Sequence, residues 1–491
     1  MTKEHIWYSL FVLLLCFSNC NKNPSTEFLE PVSELEPLKE IIDAYEELYE
    51  FSGTVLVGYK DSILFQGAYG FSDYENRRPN NLDIKFRLAS LSKQFTAAAL
   101  LVLEQNGEVD FDQVISTYVP ELKPEIGSQI TIHQILSHSS GLARDIESLS
   151  EEELGKSYIS IDSIIQLINT SDLLFEPGSK WAYSNLGYNI AAKIIEVVTG
   201  LSYGEALDQL LFQPLGLLNT GHEISPDKLI HFAKGYVGLP EKVVPAIFEE
   251  KSYVVGAGSI YSTVNDLFIW SQEITNGDLL NEINKEKFFS KQKGRYSYGW
   301  FINSYVWPPL GEKDQAKNPH HEGGSPGFES KISFLTRHDI VVIILSNKLP
   351  ANVNNLSNQI INYLVGFEEE PPLPRATKAF FDTLFQGGVN AAIELTKEWE
   401  AYESTHLIPN SNNVFLIGRG YMDLEEYEKG ILIMDYLIAV RPKWDFPYLF
   451  KAFMLEEQEK NDQAIAYYSK VLEINPDQSN AKIRLKRLST N

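Results

Sequence analysis

Ser90 and Lys93 stand three residues apart in Ser90-Leu91-Ser92-Lys93, at the head of a segment that reads as a helix. That spacing puts both side chains on one helix face, one turn apart, where an amine can reach a hydroxyl. A serine hydroxyl is a poor nucleophile until a base takes its proton, and a lysine does so when burial or neighbouring charge lowers its pKa. The helix N-terminus also offers backbone N–H groups to an oxyanion. Tyr183-Ser184-Asn185 follows a Pro177-Gly178 turn and precedes a second helical run. A tyrosine beside a lysine cation has its phenolate favoured, so Tyr183 can share proton transfer with Lys93. Asn185 offers an acceptor and a donor to Lys93 and to a substrate amide. In His321-Glu322-Gly323-Gly324 the glycines let a substrate backbone approach a strand edge, and the Gly324 N–H can join that of Ser90 as an oxyanion donor. His320-His321-Glu322 has the residue types of a metal site, but no third ligand cluster or helical His-Glu-x-x-His accompanies it, so neither metal nor other cofactor is expected.

These groups need elements to hold them. Gly53 to Gly70 contains two β-rich runs around Lys60-Asp61-Ser62, an antiparallel hairpin. A second pair, Ile332–Leu335 and Ile340–Leu345, lies nearly three hundred residues later, and the chain between is mostly helical in pattern. One antiparallel sheet built from both ends of the region, with a helical part inserted, is the economical arrangement. The helix carrying Ser90 and Lys93 runs through Ala97–Leu103 and stops at Asn106-Gly107. Another starts near Asn185 and ends at Gly200, and Ser202 with Glu205 forms a capping box for the next.

In chain order these motifs resemble the serine β-lactamase and penicillin-binding-protein superfamily, nearest its class C β-lactamase, D-alanyl-D-alanine carboxypeptidase and esterase branch. Phe86–Thr96, Leu136–Leu142, Phe175–Gly178 with Tyr183–Tyr188, and Gly256–Thr263 all look like segments of that branch. The resemblance covers roughly residues 45–365. It implies an α/β (α+β) sandwich, an antiparallel sheet flanked by helices with an inserted helical region, and acyl transfer through Ser90 with Lys93 and Tyr183 as the proton-transfer pair. Asn185, His321, Gly323 and Gly324 fall to substrate binding and the oxyanion. Two departures stand out. The third motif of β-lactamases proper is usually Lys-Thr-Gly, whereas here it is His-Glu-Gly, a change shared with many esterase-like relatives. A histidine is mostly neutral near pH 7, so the hold on a substrate carboxylate is weaker. Glu322 adds a negative charge beside the cleft if its side chain points there.

The 491 residues carry a net charge of −24, which argues against nucleic acid as a partner. Cys16 and Cys20 are the two cysteines, so a disulfide scaffold in the body is excluded. Both lie in an apolar leader that resembles a bacterial lipoprotein signal, with Cys20 the lipidation candidate and Cys16 a competitor. The expected division is a signal peptide over 1–20, an acidic tether and helix start over 21–44, the hydrolase domain over 45–366, a linker over 367–375 and helical repeats over 376–491. Within the last, Gly418 and Ala452, Gly430 and Ala464, and Pro442 and Pro476 each recur at the same interval of 34. This segment resembles two tetratricopeptide repeats, at 411–444 and 445–478. The expected protein is an exported, lipid-anchored serine hydrolase of the cell envelope that acts on a small ester, amide or peptide. A different reading is a recognition or scaffold protein that engages a protein partner through its repeats.

Overall fold

A computed structural model of the chain describes residues 35–49, 51–146, 155, 157–223, 231–302, 318–366 and 376–489. Cys16, Cys20, the tether before Leu35 and the linker at 367–375 lie outside the described residues.

The first hairpin is β1 (Gly53–Tyr59) and β2 (Ser62–Tyr69), and a small ribbon follows midway, β3 (Tyr236–Leu239) and β4 (Lys242–Pro245). Then come β5 (Phe301–Ile302), β6 (Pro319–Ser325), β7 (Phe328–Leu335) and β8 (Ile340–Ser346). The principal sheet is six-stranded in the order β5-β6-β7-β8-β1-β2, antiparallel throughout, with β1 laid on β8 from Gly53 opposite Ser346 to Tyr59 opposite Ile340. The chain's two distant hairpins therefore share one sheet, as their patterns predict.

The sequence of β8 explains its central place. Ile340-Val-Val-Ile-Ile-Leu is β-branched and apolar at successive positions, which suits a strand covered on both faces. Side chains alternate: Val341, Ile343 and Leu345 enter the larger core, whereas Ile340, Val342 and Ile344 pack into a second layer. That second layer is made by α1 (Glu36–Tyr49) together with a helix at Val353–Leu364. Helix α1 straddles residue 45, where the hydrolase domain was expected to begin. Its Leu38, Ile41, Ile42 and Tyr45 are all buried against the sheet, so the folded unit reaches back at least to Glu36.

On the other face lies α2 (Ser92–Gln105), buried at every residue from Ser92 to Leu103. A helix apolar nearly all round must be central, and α2 is enclosed by the sheet, by α3 (Asn185–Thr199) and by further inserted helices. The cap signals read from sequence are in place. Gly107 and Gly200 adopt left-handed conformations after α2 and α3, and Ser202 and Glu205 form their reciprocal capping box.

Beyond the linker the described residues are helical. Helix α4 (Thr377–Ala401) breaks at Gly388, and then α5 (Ser411–Asp423), α6 (Tyr427–Val440), α7 (Asp445–Glu457), α8 (Asn461–Ile474) and α9 (Ser479–Ser489) follow. The pairs α5–α6 and α7–α8 fall in the 34-residue register. The small residues sit where helices touch: a Cβ on Gly418 would lie 2.7 Å from Met434, and one on Gly430 2.5 Å from Met454.

Candidate active site

Ser90 stands in a short 3₁₀ turn, Ala89–Leu91, that feeds into α2, rather than in the α-helix itself. Ala89 holds a positive φ of 47°, a strained conformation for a residue with a Cβ, and the surroundings fix it there. The Leu88 N–H donates to Ile260 O at 2.9 Å, and Ser330 Oγ donates to Leu88 O at 2.8 Å. Gly323 on β6 lies so close that a Cβ would fall 2.1 Å from Leu88 O. The glycine expected to admit a substrate backbone thus also admits the protein's own nucleophile turn.

Lys93 is fully buried, with Nζ 3.1 Å from Ser90 Oγ and donating to Ala257 O at 2.8 Å. The carbonyl is presented by a segment that Asn189 of α3 holds through Tyr253 O and the Gly256 N–H. Burial first, and then the positive field of Arg144, drive the Lys93 pKa well below its ordinary value, with Asp145 opposing. Tyr183 shares a side-chain hydrogen bond with Ser90, and Lys93 Nζ lies 4.7 Å from its ring centre. Burial raises the Tyr183 phenol above its ordinary value and outweighs that hydrogen bond and Arg144. The expectation that a lysine cation favours a phenolate is therefore corrected: desolvation disfavours charge on both groups, lowering the pKa of Lys93 and raising that of Tyr183.

The tyrosine is held by its neighbours. Ser184 caps α3 by accepting from the Gly187 N–H, and its own N–H donates to His138 Nδ1 at 3.1 Å. The His138 ring lies 4.2 Å from that of Tyr183 and 4.4 Å from that of Tyr296, while burial keeps its pKa well below the usual histidine range. Asn185 does not reach Lys93 by a hydrogen bond. Its Nδ2 donates to Asp145 Oδ1 at 2.7 Å, and its buried Oδ1 has no partner among the described residues.

On β6 the strand alternation separates the motif. His321 Nε2 lies 3.0 Å from Tyr296 Oη on the cleft side, and burial with the nearby Lys93 pushes its pKa down to about 3. His320 and Glu322 share the opposite face, where both meet Lys331, at 3.0 and 3.1 Å. Burial alone would raise Glu322, but Lys331 outweighs it and holds the carboxylate ionised. The Glu322 carboxylate thus meets Lys331 on the face away from the cleft, though its field still reaches Tyr183 and His321; among the described residues no cluster of His, Cys, Asp or Glu is arranged for a metal.

A cavity of about 300 Å³ opens beside Ser90, lined also by Arg144, Asp145, Asn185 and Gly324, and on its far side by residues of α5. Arg144, whose guanidinium lies 5.3 Å from the Tyr183 ring centre, carries no motif in the sequence, nor does Asp145; Ala257 lies in the Gly256–Thr263 segment that supported the resemblance, but the role of its carbonyl comes from tertiary placement. His138 sits in a segment that supported the family resemblance, though its packing on Tyr183 was not readable from it.

The Beta-lactamase family profile matches residues 38–363. A penicillin-binding protein of Bacillus subtilis is 30% identical over 331 residues, covering 63% of this chain and 71% of that protein. The crystal structure of a penicillin binding protein from Bacillus halodurans superimposes with a TM-score of 0.56 at 25% identity, over 65% of this chain and 98% of that one. A D-amino acid amidase from Ochrobactrum anthropi shares the fold with a TM-score of 0.58 at 22% identity, over 66% of this chain and 98% of its own. With the matched region enclosing the sheet, α2 and the Ser90–Lys93 pair, the chain belongs to the Beta-lactamase family of serine hydrolases, which its likeness to penicillin-binding proteins supports.

Proposed function

We propose that this chain is an exported serine acyl hydrolase that cleaves an ester or amide bond, peptides included, through a covalent acyl-Ser90 intermediate. The observation that carries the reading is the buried Lys93 amine, 3.1 Å from Ser90 Oγ at the wall of a cavity. Uncharged, Lys93 accepts the Ser90 proton as Oγ bonds to the substrate carbonyl carbon. The N–H groups of Ser90 and Gly324 hold the oxyanion. Tyr183 passes a proton to the departing oxygen or nitrogen as its bond to carbon breaks, and regains one from Lys93. Water then attacks the acyl-enzyme, its proton returns through the same pair, and the acid leaves. Asn185 Oδ1 accepts from a substrate N–H, and neutral His321 lines the cleft beside Gly323.

With no cation on the cleft side of β6, a carboxylate adjoining the scissile bond, as in a β-lactam, is weakly held there. Rapid turnover of a chromogenic cephalosporin, lost in Ser90→Ala, would contradict that part. The leader read as lipoprotein-like would tether the enzyme through Cys20 to the cell envelope, with the helix pairs at 411–478 as tetratricopeptide-like repeats. The test of the core reading is intact mass after treatment with a fluorophosphonate or a labelled penicillin. A Ser90 adduct is expected in the native chain and none in Ser90→Ala, with labelling of Lys93→Ala slower by about 10²-fold or more. No adduct with either probe would overturn the hydrolase reading and favour a scaffold.

A further inference from the structure

Helix α5 turns one face to the cavity that holds Ser90: Leu416, Arg419, Gly420 and Asp423 follow the spacing of a single helix stripe and all line it. The helix comes this close because residue 420 lacks a side chain; a Cβ there would lie 2.7 Å from Val237 Cγ1 and 3.2 Å from Leu239 Cδ2 on β3. Polar contacts hold the approach. Tyr421 Oη donates to Glu241 at 2.6 Å, Lys429 pairs with Glu241 at 3.0 Å, Lys242 pairs with Glu426 at 3.2 Å, and Asn413 Nδ2 donates to Asn352 at 2.9 Å.

Within the stripe, Leu416 differs from its chain neighbours. Phe415 and Ile417 pack into the apolar core of the repeats, whereas half-buried Leu416 belongs to none of the apolar cores among the described residues. It stands one turn before Gly420, beside the point where Val237 meets the helix. Leu349 pairs in register with Val237 on the short parallel strand Lys348–Leu349, so the two side chains share the face toward α5. Leu349 is likewise half-buried and outside those cores, and it lines the same cavity. Leu416, Leu349 and Val237 therefore form an apolar end to the cavity. The charges around them are held by partners. Lys251 pairs with Glu249, Arg144 Nε lies 3.4 Å from Asp145, and the Arg419 guanidinium lies 5.6 Å from the Phe450 ring centre of α7, with Asp423 of opposite sign a turn away.

Resting on the hydrolase reading, we infer that α5 is the end wall of the acyl site and that Leu416 is a specificity-determining residue, a stop that sets how long an acyl chain Ser90 accepts. The substrate class is an ester or amide of an unbranched apolar acyl group whose far end meets Leu416 and Leu349. The helical repeats thereby act on substrate choice through the wall they supply.

The test compares p-nitrophenyl butyrate and p-nitrophenyl octanoate on the full chain, reading the ratio of kcat/KM for the longer ester over the shorter. The ratio is expected to rise about tenfold in Leu416→Ala, which deepens the cavity, and to fall about tenfold in Leu416→Trp, which shortens it. Butyrate hydrolysis reports that each variant is folded, and if Leu416→Trp loses it the Ala variant decides by itself. A ratio that does not rise in Leu416→Ala, or that moves the same way in both variants, overturns the stop while leaving the hydrolase reading intact. An equal rise in Ile417→Ala, which loosens α5 from the core side without touching the cavity, overturns it too. Failure of the native chain to hydrolyse either ester overturns the hydrolase reading and this inference with it.

Discussion

An amine takes a proton from a serine while it is itself unprotonated, so the working state of Lys93 is set by its surroundings. Its folded pKa is lowered, which means that activity is present above that pKa and lost as pH falls through it. A pH profile of kcat/KM should accordingly show an acidic limb well below the ordinary lysine value near 10.4. The two neighbouring charges give the sign a further check. Arg144 lowers the Lys93 pKa and Asp145 raises it, so Arg144→Gln should move the limb to higher pH and Asp145→Asn to lower pH. Limbs that stay put in both variants would show that Lys93 does not set the profile. The local part of this site was legible because Ser90 and Lys93 are one helical turn apart, and a spacing of three is written directly in the chain. The side taken by Glu322 was not. Alternation says that His321 and Glu322 face opposite ways, but which of them faces the cleft depends on the pairing of β6 with β7, where Glu322 lies opposite Lys331.

The nucleophile turn depends on the strands beside it. Gly323→Ala would place a methyl 2.1 Å from the Leu88 carbonyl, a backbone atom that cannot rotate away. Overpacking of this kind costs about 1–3 kcal/mol, and the strain falls on the turn that aims Ser90. Fluorophosphonate labelling should therefore slow by more than the drop in melting temperature accounts for; equal effects would mean that the strain is shared by the whole fold. Just upstream, Arg87 and Glu223 form an ion pair with both side chains buried. Arg87→Met strands Glu223, whose carboxyl burial already pushes up, at a cost of about 3–5 kcal/mol. Arg87→Met with Glu223→Leu should recover most of it in denaturant titration, and failure to recover would point to packing by the guanidinium. At this scale the sequence was most informative. Caps, hairpins and the apolar run of β8 announce their elements through local chemistry. The left-handed Ala89 and the 3₁₀ turn carry no such signal, because contacts from Ile260, Gly323 and Ser330 impose them.

Across the whole molecule the repeats and the catalytic body share an apolar seam. Gly420→Val would drive a branched side chain into Val237, and thermal melting should then separate into two transitions where the native chain shows one. A single transition at an unchanged temperature would mean that the seam contributes little. The 34-residue interval of small residues made the helix pairs readable. The docking was not, since Gly420 meets β3 far away in sequence, and no local pattern marks either surface. One face of α5 lines the chain's own cavity. No helix among the described residues is long and apolar enough to cross a membrane.

The placement of β1 against β8 also sets an order of events in time. The side chains of Ser52 and Asn347 meet across 295 residues of sequence. At synthesis rates of about 5–20 residues per second, the strand that closes the sheet emerges on the order of tens of seconds after its partner. Until then α2, buried from Ser92 to Leu103 in the folded protein, has no finished sheet to lie against. Long-range pairing of this kind folds slowly and leaves apolar surface exposed meanwhile. A chain stopped anywhere before β8 would be a target for holding factors and proteases rather than a smaller enzyme, and the Ser90–Lys93 pair, complete in sequence within the first hundred residues, would be among the last things to become chemically competent.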